Sequence, residues 1–364
     1  MTAAAYTAGM PASLPLPTSI SELDTPAVVC DLDVMEKNLA DMARHCRELG
    51  MPLRAHTKSH RIPELAHRQM ASGCIGIACQ KLGDVEVMVA AGLKEILIPY
   101  NIVGQVKVER LIRLVRRVSV MVAADSEETV RGISERAGPA GVTVPVLIEL
   151  DTGSRRCGVQ SPEEAQELGR KIVKLKGLEL RGVMTYPSRA AAKEYLDEVK
   201  DRFGRDGLPL DVISGGGTGS EATSKEIGCT ETRSGSYIWE GLRRVGKSED
   251  LSPERCPVRV VCTVVSVPTK GRVIIDGGMK TFASYPPTPY GYCVEHPEIR
   301  IARMSVEHGH IDSSASSHEF KVGERLTIIP LHQEMCINLH DEVVGVRGDR
   351  VEVVWPVAGR GKVK

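Results

Sequence analysis

"SPEEAQELGRKIVKLKG", residues 161–177, runs without a break into "LELRGVM", residues 178–184. Ser161 is a capping residue type, Pro162 suits a first helical position, and Gly177 suits the reversal past a helix end. The apolar run Leu178–Met184 then reads as a strand. The same sentence is written again upstream. "SEETVRGISERA", residues 126–137, has Ser126 as its cap, with Glu128 and Arg131 on the helix, and "VTVPVLIE" follows it.

Working outward from this helix–strand unit, eight short runs rich in Val and Ile alternate with helical patterns from residue 52 onward. The expected strands are Pro52–His56, Cys74–Cys79, Glu95–Ile98, Val118–Val122, Thr143–Glu149, Leu178–Met184, Leu210–Ile213 and Gly228–Arg233. Strands that are apolar on both faces fit a parallel sheet covered by helices. Eight units predict an α/β architecture with a (β/α)8 TIM-type barrel, although ~180 residues is compact against the ~250 of a typical one. A doubly wound sheet is the competing arrangement.

The flanks differ from this pattern. From about Cys256 the strand-like runs "VRVVCTVVSVP", "RVIIDGG", "RLTIIP" and "EVVGVRGDRVEVVWP" dominate and helical periodicity nearly vanishes. These imply a C-terminal, mostly β domain. The expected organisation is a flexible arm over residues 1–22, a barrel over 23–250 and a β domain over 251–364. "PAVVCDLD", residues 26–33, has no crossover partner before it and is expected to pair with the β domain. The arm lacks a basic residue and a continuous apolar stretch, so it reads as neither a signal peptide nor a membrane span.

Composition excludes several classes. The formal net charge of +0 argues against nucleic acid or an anionic membrane as a partner, and 4% aromatic residues leave little for base stacking. Ten cysteines lie mostly in apolar runs without a CxxC pair. They read as buried thiols of a cytoplasmic protein rather than a disulfide framework.

In a barrel of this kind, chemistry sits at the carboxyl ends of the strands. "RAHTKSH", residues 54–60, ends the first, with Arg54, His56, Lys58 and His60 all at even positions and therefore on one face of an extended chain. The second ends at Gln80, the third at Asn101, the fifth runs into Arg155 and Arg156, and the sixth ends at Tyr186. After the seventh comes "SGGGTGS", residues 214–220; after the eighth come Arg233, Gly235, Ser236 and Tyr237. Glycine-rich loops after the last two strands of a barrel are where backbone N–H groups cradle a phosphate. A phosphate cradle facing a lysine suggests pyridoxal 5'-phosphate, whose aldehyde needs a lysine for a Schiff base. Lys58 is that candidate.

"RAHTKSH", "CQKLGDVEVMVAAGLKEILIPYN", "RRCGV", "SGGGTGS" and "TETRSGSY" together resemble the alanine-racemase-like group of pyridoxal phosphate enzymes, and within it the D-threonine aldolase and D-serine dehydratase branch. The resemblance spans roughly residues 22–355. It implies a homodimer and makes Lys58 the lysine that carries the cofactor. It implies Arg156 at the ring hydroxyl, Arg233 near the ring nitrogen, and Gly216, Gly217, Thr218, Gly219, Gly235 and Ser236 at the phosphate. His56, Gln80 and Tyr186 complete the expected cofactor set, and His60 stands beside Lys58 as a catalytic candidate.

"PLHQEMCINLHDEVV", residues 330–344, carries His332, Glu334, His340 and Asp341. In an extended stretch His332 and Glu334 point the same way and can reach one divalent ion. The resembled family has His followed two residues later by Asp or Cys, so Glu334 is a departure; a carboxylate favours Mg or Mn over Zn. His308 and His310 in "EHGHID" are further candidates. With His332 as base or ligand, the expected reaction is cleavage of a D-β-hydroxy-α-amino acid to glycine and an aldehyde. Dehydration of such a substrate (D-serine or D-3-hydroxyaspartate) is the alternative. A racemase would need a second base such as Tyr285, Tyr290 or Tyr292, and a carrier without catalysis would not need the β domain.

Overall fold

The structure, a computed structural model, describes residues 17–245, 252–284 and 288–364. Most of the expected arm, the 250/251 boundary and Tyr285 lie outside the described residues.

The chain enters through β1 (Ala27–Asp31) and α1 (Leu32–Leu49). Eight parallel strands follow: β2 (Leu53–His56), β3 (Gly76–Ala78), β4 (Glu95–Asn101), β5 (Ser119–Ala124), β6 (Val144–Leu150), β7 (Leu178–Thr185), β8 (Val212–Gly216) and β9 (Glu231–Ser234). They close into a barrel in chain order, with β9 back on β2. Between them run α2 (Pro63–Ala71), α3 (Leu82–Ala90), α4 (Gln105–Val115), α5 (Glu127–Ala137), α6 (Pro162–Ile172), α7 (Lys193–Asp206) and the short α8 (Glu221–Glu226). The barrel is the architecture the sequence predicts, and the doubly wound alternative is set aside.

The caps act as the residue types require. Ser126 and Ser161 accept from the backbone N–H groups of Thr129 and Glu164, at 3.4 and 3.2 Å. The helix that opens at Pro162 stops at Ile172, five residues before Gly177. Gly177 instead turns the chain into β7 at φ +77°, where a Cβ would sit 2.5 Å from the Gly138 nitrogen.

The β domain contains β10 (Val258–Thr269), β11 (Arg272–Ile275), α9 (Met279–Phe282), β12 (Gly291–Cys293), β13 (Arg300–Met304), β14 (Gly309–Asp312), β15 (Arg325–Pro330), α10 (Gln333–Ile337), β16 (Glu342–Arg347) and β17 (Arg350–Pro356). β1 does join it, antiparallel to β10 and parallel to β16. α1 packs Leu32, Met35, Leu39 and Met42 into a core shared by barrel residues such as Leu53 and Ile62 and β-domain residues such as Val260 and Trp355. This shared core fixes the two parts against each other and brings α10 to the barrel mouth. Among the described residues, no helix is long and apolar enough to cross a membrane.

Candidate active site

The barrel interior is apolar on one side and polar on the other. Ala78, Leu97, Ala123, Leu147 and Met184 fill one part. On the other side the Arg54 guanidinium donates to Glu231 at 2.8 Å, the Ser214 hydroxyl donates to Glu231 at 2.6 Å, and Arg233 donates to Ser214 Oγ at 2.5 Å and to the Thr185 carbonyl at 2.9 Å. Hydrogen bonds and nearby carboxylates of this kind offset the cost of burying a charge. Burial presses the Arg233 guanidinium below its ordinary range, opposed by the Glu231 and Glu149 carboxylates.

Above this network the strand ends surround a cavity of about 400 Å3. Its wall includes His56, Lys58, Tyr186, Gly217, Thr218, Gly219, Arg233, Gly235 and Ser236 from the barrel, and His332, Gln333 and Glu334 from the β domain. Gln80 and Arg156 border a smaller recess beneath it, shared with His56, Lys58, Tyr186 and Arg233. The two cavities thus gather the expected cofactor set, apart from Gly216, and the His332–Glu334 pair; Asn101, Arg155, Tyr237, Tyr290 and Tyr292 line neither.

Lys58 is placed by a turn rather than a strand. β2 ends at His56, and Thr57–Ser59 form one 3-10 turn. Lys58 N–H donates to His56 Nδ1 at 3.4 Å, while the Ser59 hydroxyl donates to the Gly235 carbonyl at 3.0 Å. The Lys58 ammonium lies 5.6 Å from the centre of the Tyr186 ring. His56 pairs through Nε2 with Gln80 Oε1 at 3.1 Å, and burial, then Lys58 and Arg233, hold its imidazole well below the ordinary histidine range. His56 therefore stays neutral.

The turn corrects the expectation for His60. Alternation holds for Arg54 and His56, which lie on the strand, and fails once the chain coils. His60 is 1% exposed and does not line the cavity, with Nε2 at 3.1 Å from Gln69 and Nδ1 accepting from Ile62 N–H at 3.0 Å. It secures the turn and touches none of the cavity.

The glycine loop also works differently from a simple row of N–H donors. Gly216 N–H donates to Ser188 Oγ at 2.8 Å, Gly217 N–H to the Arg233 carbonyl at 2.8 Å, and Gly219 N–H to both Glu221 oxygens at 3.0 Å. The glycines supply conformation, with φ of 149°, 117° and 89°. Thr218, Ser220 and Ser236 are the hydroxyl-bearing residues of these loops that line the cavity. Gly235 is required because a Cβ there would sit 2.7 Å from the His56 carbonyl oxygen. Arg244, which the sequence reading missed, brings its guanidinium within 3.1–3.4 Å of where a Gly219 Cβ would stand. Two adjacent arginines, Arg243 and Arg244 in "WEGLRR", downstream of the last barrel strand, were the available signal.

Arg156 rides on the loop after β6, where Asp151 accepts from the N–H groups of Gly153, Ser154 and Arg155 at 2.9, 2.8 and 3.1 Å. Its guanidinium donates to Glu149 at 3.1 Å and lies 5.2 Å from the Tyr186 ring centre.

His332 and Glu334 reach the cavity by helical, not extended, geometry. His332 caps α10, its Nδ1 accepting from Met335 N–H at 3.3 Å, and Glu334 stands in the first turn. Burial pushes the His332 imidazole down, Glu334 opposes this, and Arg243 reinforces it. His340 pairs with the Thr281 carbonyl at 3.0 Å, Asp341 with Arg360, and His310 with Ser305 at 2.9 Å. None of these, nor His308, borders the cavity.

The donor set fits pyridoxal phosphate. One primary amine suits its aldehyde, guanidinium groups at Arg156 and Arg244 suit its anionic oxygens, that of Arg233 suits its ring nitrogen, and hydroxyls at Thr218 and Ser236 suit a phosphate.

The comparisons agree with this geometry. Residues 30–242 match the family model described as "Alanine racemase, N-terminal domain", and residues 257–346 match "Putative serine dehydratase domain". The chain is 31% identical to a D-threonine aldolase of an Arthrobacter species, with 94% of each chain covered. It is 29% identical to a 3-hydroxy-D-aspartate aldolase of Paracoccus denitrificans, over 94% of this chain and 93% of that protein. The solved D-threonine aldolase of Filomicrobium marinum superposes with a TM-score of 0.90 at 32% identity, over 98% of this chain and 100% of that one. On these matches the chain belongs to the alanine-racemase-like family, and that family implies pyridoxal phosphate as cofactor.

Proposed function

We propose that the chain is a pyridoxal phosphate- and divalent-metal-dependent lyase that cleaves D-β-hydroxy-α-amino acids to glycine and an aldehyde. The observation that carries the reading is that Lys58 and the His332–Glu334 pair, from two different domains, border one cavity. The relatives' names point the same way.

When bound, the cofactor supplies an electron sink for the carbon whose bond breaks, and a divalent cation supplies a Lewis acid for a hydroxyl. Lys58 would hold the cofactor's aldehyde carbon, and His56, Gln80 and Tyr186 would shape the space around it. Arg156 would meet the ring hydroxyl and Arg233 the ring nitrogen. Gly216, Gly217 and Gly219 give the phosphate loop its path, while Thr218, Gly235 and Ser236 face the phosphate.

His332 Nδ1 accepts from Met335 N–H, so the neutral imidazole carries its proton on Nε2. To hold an ion through Nε2 the ring would shift that proton to Nδ1 and give up the cap bond. In that tautomer Nε2 and the Glu334 carboxylate would hold the ion, whose chemistry would be to acidify a hydroxyl. A His332 ring occupied in this way would not serve as base, and the proton of the substrate's β-hydroxyl would pass to solvent. Oxygen from Glu334 favours Mg or Mn over Zn. The ten free cysteines support a reducing, cytoplasmic compartment, and the family supports a homodimer.

The match of residues 257–346 to a serine dehydratase domain favours dehydration as the second reading. Supplying the cofactor- and Mn-loaded protein with D-threonine, D-serine and D-alanine separates them. Glycine with acetaldehyde supports the lyase reading. Pyruvate with ammonia from D-serine supports the dehydratase, and L-alanine from D-alanine supports a racemase.

A further inference from the structure

A second cluster of ligand-type side chains lies in the β domain, outside the Lys58 cavity. His296, His318 and Glu324 each offer an atom, and these atoms all lie within 4.8 Å of one another. We infer that these three residues form a structural site for a borderline divalent cation of the zinc type.

Strand pairing brings them together. β12 and β15 pair antiparallel from Gly291 opposite Pro330 to Cys293 opposite Ile328, and Val294 N–H donates to the Thr327 carbonyl at 2.9 Å. Continuing that ladder sets His296 abreast of the residues that lead into β15. Glu324 is the last of these, and His318 stands six residues earlier on the same loop.

The groups are held ready. Glu324 accepts from Lys321 N–H through Oε2 at 2.9 Å, which turns Oε1 towards His318 Nε2 at 2.7 Å. The His296 and His318 rings stack at 4.5 Å with 28° between their planes. Phe320, 9% exposed, lies edge-on beneath both at 5.0 and 4.7 Å. A simple His318–Glu324 pair accounts for only part of this. The carboxylate beside His296 is Glu298, whose oxygen is 3.6 Å from Nδ1, beyond a hydrogen bond. Stacked imidazoles give each other no hydrogen bond either. An ion shared by His296, His318 and Glu324 would use both rings and the carboxylate at once.

Two imidazole nitrogens and one carboxylate oxygen suit a zinc-type ion. Tetrahedral coordination at about 2.0–2.2 Å asks for ligand atoms roughly 3.3 Å apart, so rotamer shifts of about 1 Å close the set. The side chains of His318 and Glu324 remain 41% and 24% exposed, which leaves room for water as a further ligand. The ion would staple the turn after β12 to the loop before β15. None of its ligands borders the cavity that holds Lys58, so the site is independent of the proposed reaction.

The test is equilibrium dialysis of chelator-treated, cofactor-loaded protein against Zn2+, with the thermal midpoint read in parallel. Wild type, His318→Ala, Glu324→Gln and His332→Ala are compared. The expected result is that His318→Ala binds one equivalent fewer than wild type and that Glu324→Gln binds it at least tenfold more weakly. Both should lose the zinc-dependent rise in midpoint while keeping wild-type turnover. His332→Ala should retain this equivalent whether or not the cavity itself holds an ion. Stoichiometry and midpoint shift in His318→Ala and Glu324→Gln that match wild type would overturn the site.

Discussion

The Trp239 indole N–H donates to the carbonyl oxygen of Ser59 at 2.9 Å, across the gap between the segment after β9 and the turn that carries Lys58. Trp239 is 1% exposed and borders the cavity, so this bond ties the amine's position to the segment that follows β9. Trp239→Phe keeps the ring and strands a buried acceptor, at a cost of about 1–3 kcal/mol. Turnover is expected to fall roughly tenfold or more while the protein stays folded. Steady-state kinetics alongside circular dichroism checks this, and unchanged kcat would show that the turn holds itself.

Lys58→Ala is expected to remove the visible absorption of bound cofactor and all turnover, because no other described primary amine borders the cavity. Borohydride treatment followed by mass spectrometry is the check. A cofactor adduct trapped in the variant would assign the amine elsewhere.

Thr218→Val removes a hydroxyl that accepts from Gly235 N–H at 3.2 Å and faces the cavity. Losing one charge-assisted hydrogen bond to a phosphate costs about 1.5–3 kcal/mol, or about ten- to a hundredfold in cofactor affinity. Turnover at saturating cofactor should change far less. Titration with pyridoxal phosphate, read by absorbance, distinguishes the two, and unchanged affinity would move the phosphate to another loop.

Asp84 gives a pH prediction. It is 1% exposed, pairs with Arg61 at 3.6 Å, and has neither oxygen hydrogen-bonded. Burial raises its carboxyl from 3.8 to about 6, with Arg61 and Lys81 opposing. A raised folded-state value means that between pH 4 and 6 the folded chain keeps a proton the unfolded chain has lost. This group's contribution to stability therefore falls as pH rises through that window, by up to about 3 kcal/mol. Denaturant unfolding of wild type and Asp84→Asn at pH 4.5 and 7 should show a stability difference that shifts in favour of the variant at the higher pH. A difference independent of pH would contradict the assignment.

The barrel was legible because two-sided apolar strands repeat eight times, each a local signal, and side-chain caps at Ser126 and Ser161 mark two of the helices between them. α1 was missed although Asp31 caps it and Gly50 ends it, at φ +62°. Its residues precede the first repeat, and its apolar face serves a core assembled from both ends of the chain. His60 was misplaced because the two-residue alternation that holds for Arg54 and His56 gives way to a turn after His56. The glycine N–H groups were misjudged for another reason. Their partners, Ser188, Arg233 and Glu221, come from other elements or follow the loop itself, and spacing alone does not reveal them. Trp239 and Gln333 entered the site through tertiary packing, for which a single sequence carries no local mark.

The central claim is that one cavity joins Lys58 chemistry to an ion held by His332 and Glu334. The most direct measurement is the yield of glycine and acetaldehyde from D-threonine by cofactor-loaded protein, before chelation, after it, and after Mn2+ is restored. The account predicts equimolar products, loss of both on chelation with the cofactor's absorption intact, and recovery with Mn2+ in wild type, only partial recovery in Glu334→Ala, and none in His332→Ala. Undiminished product formation after exhaustive chelation, with no metal found by elemental analysis, would contradict it.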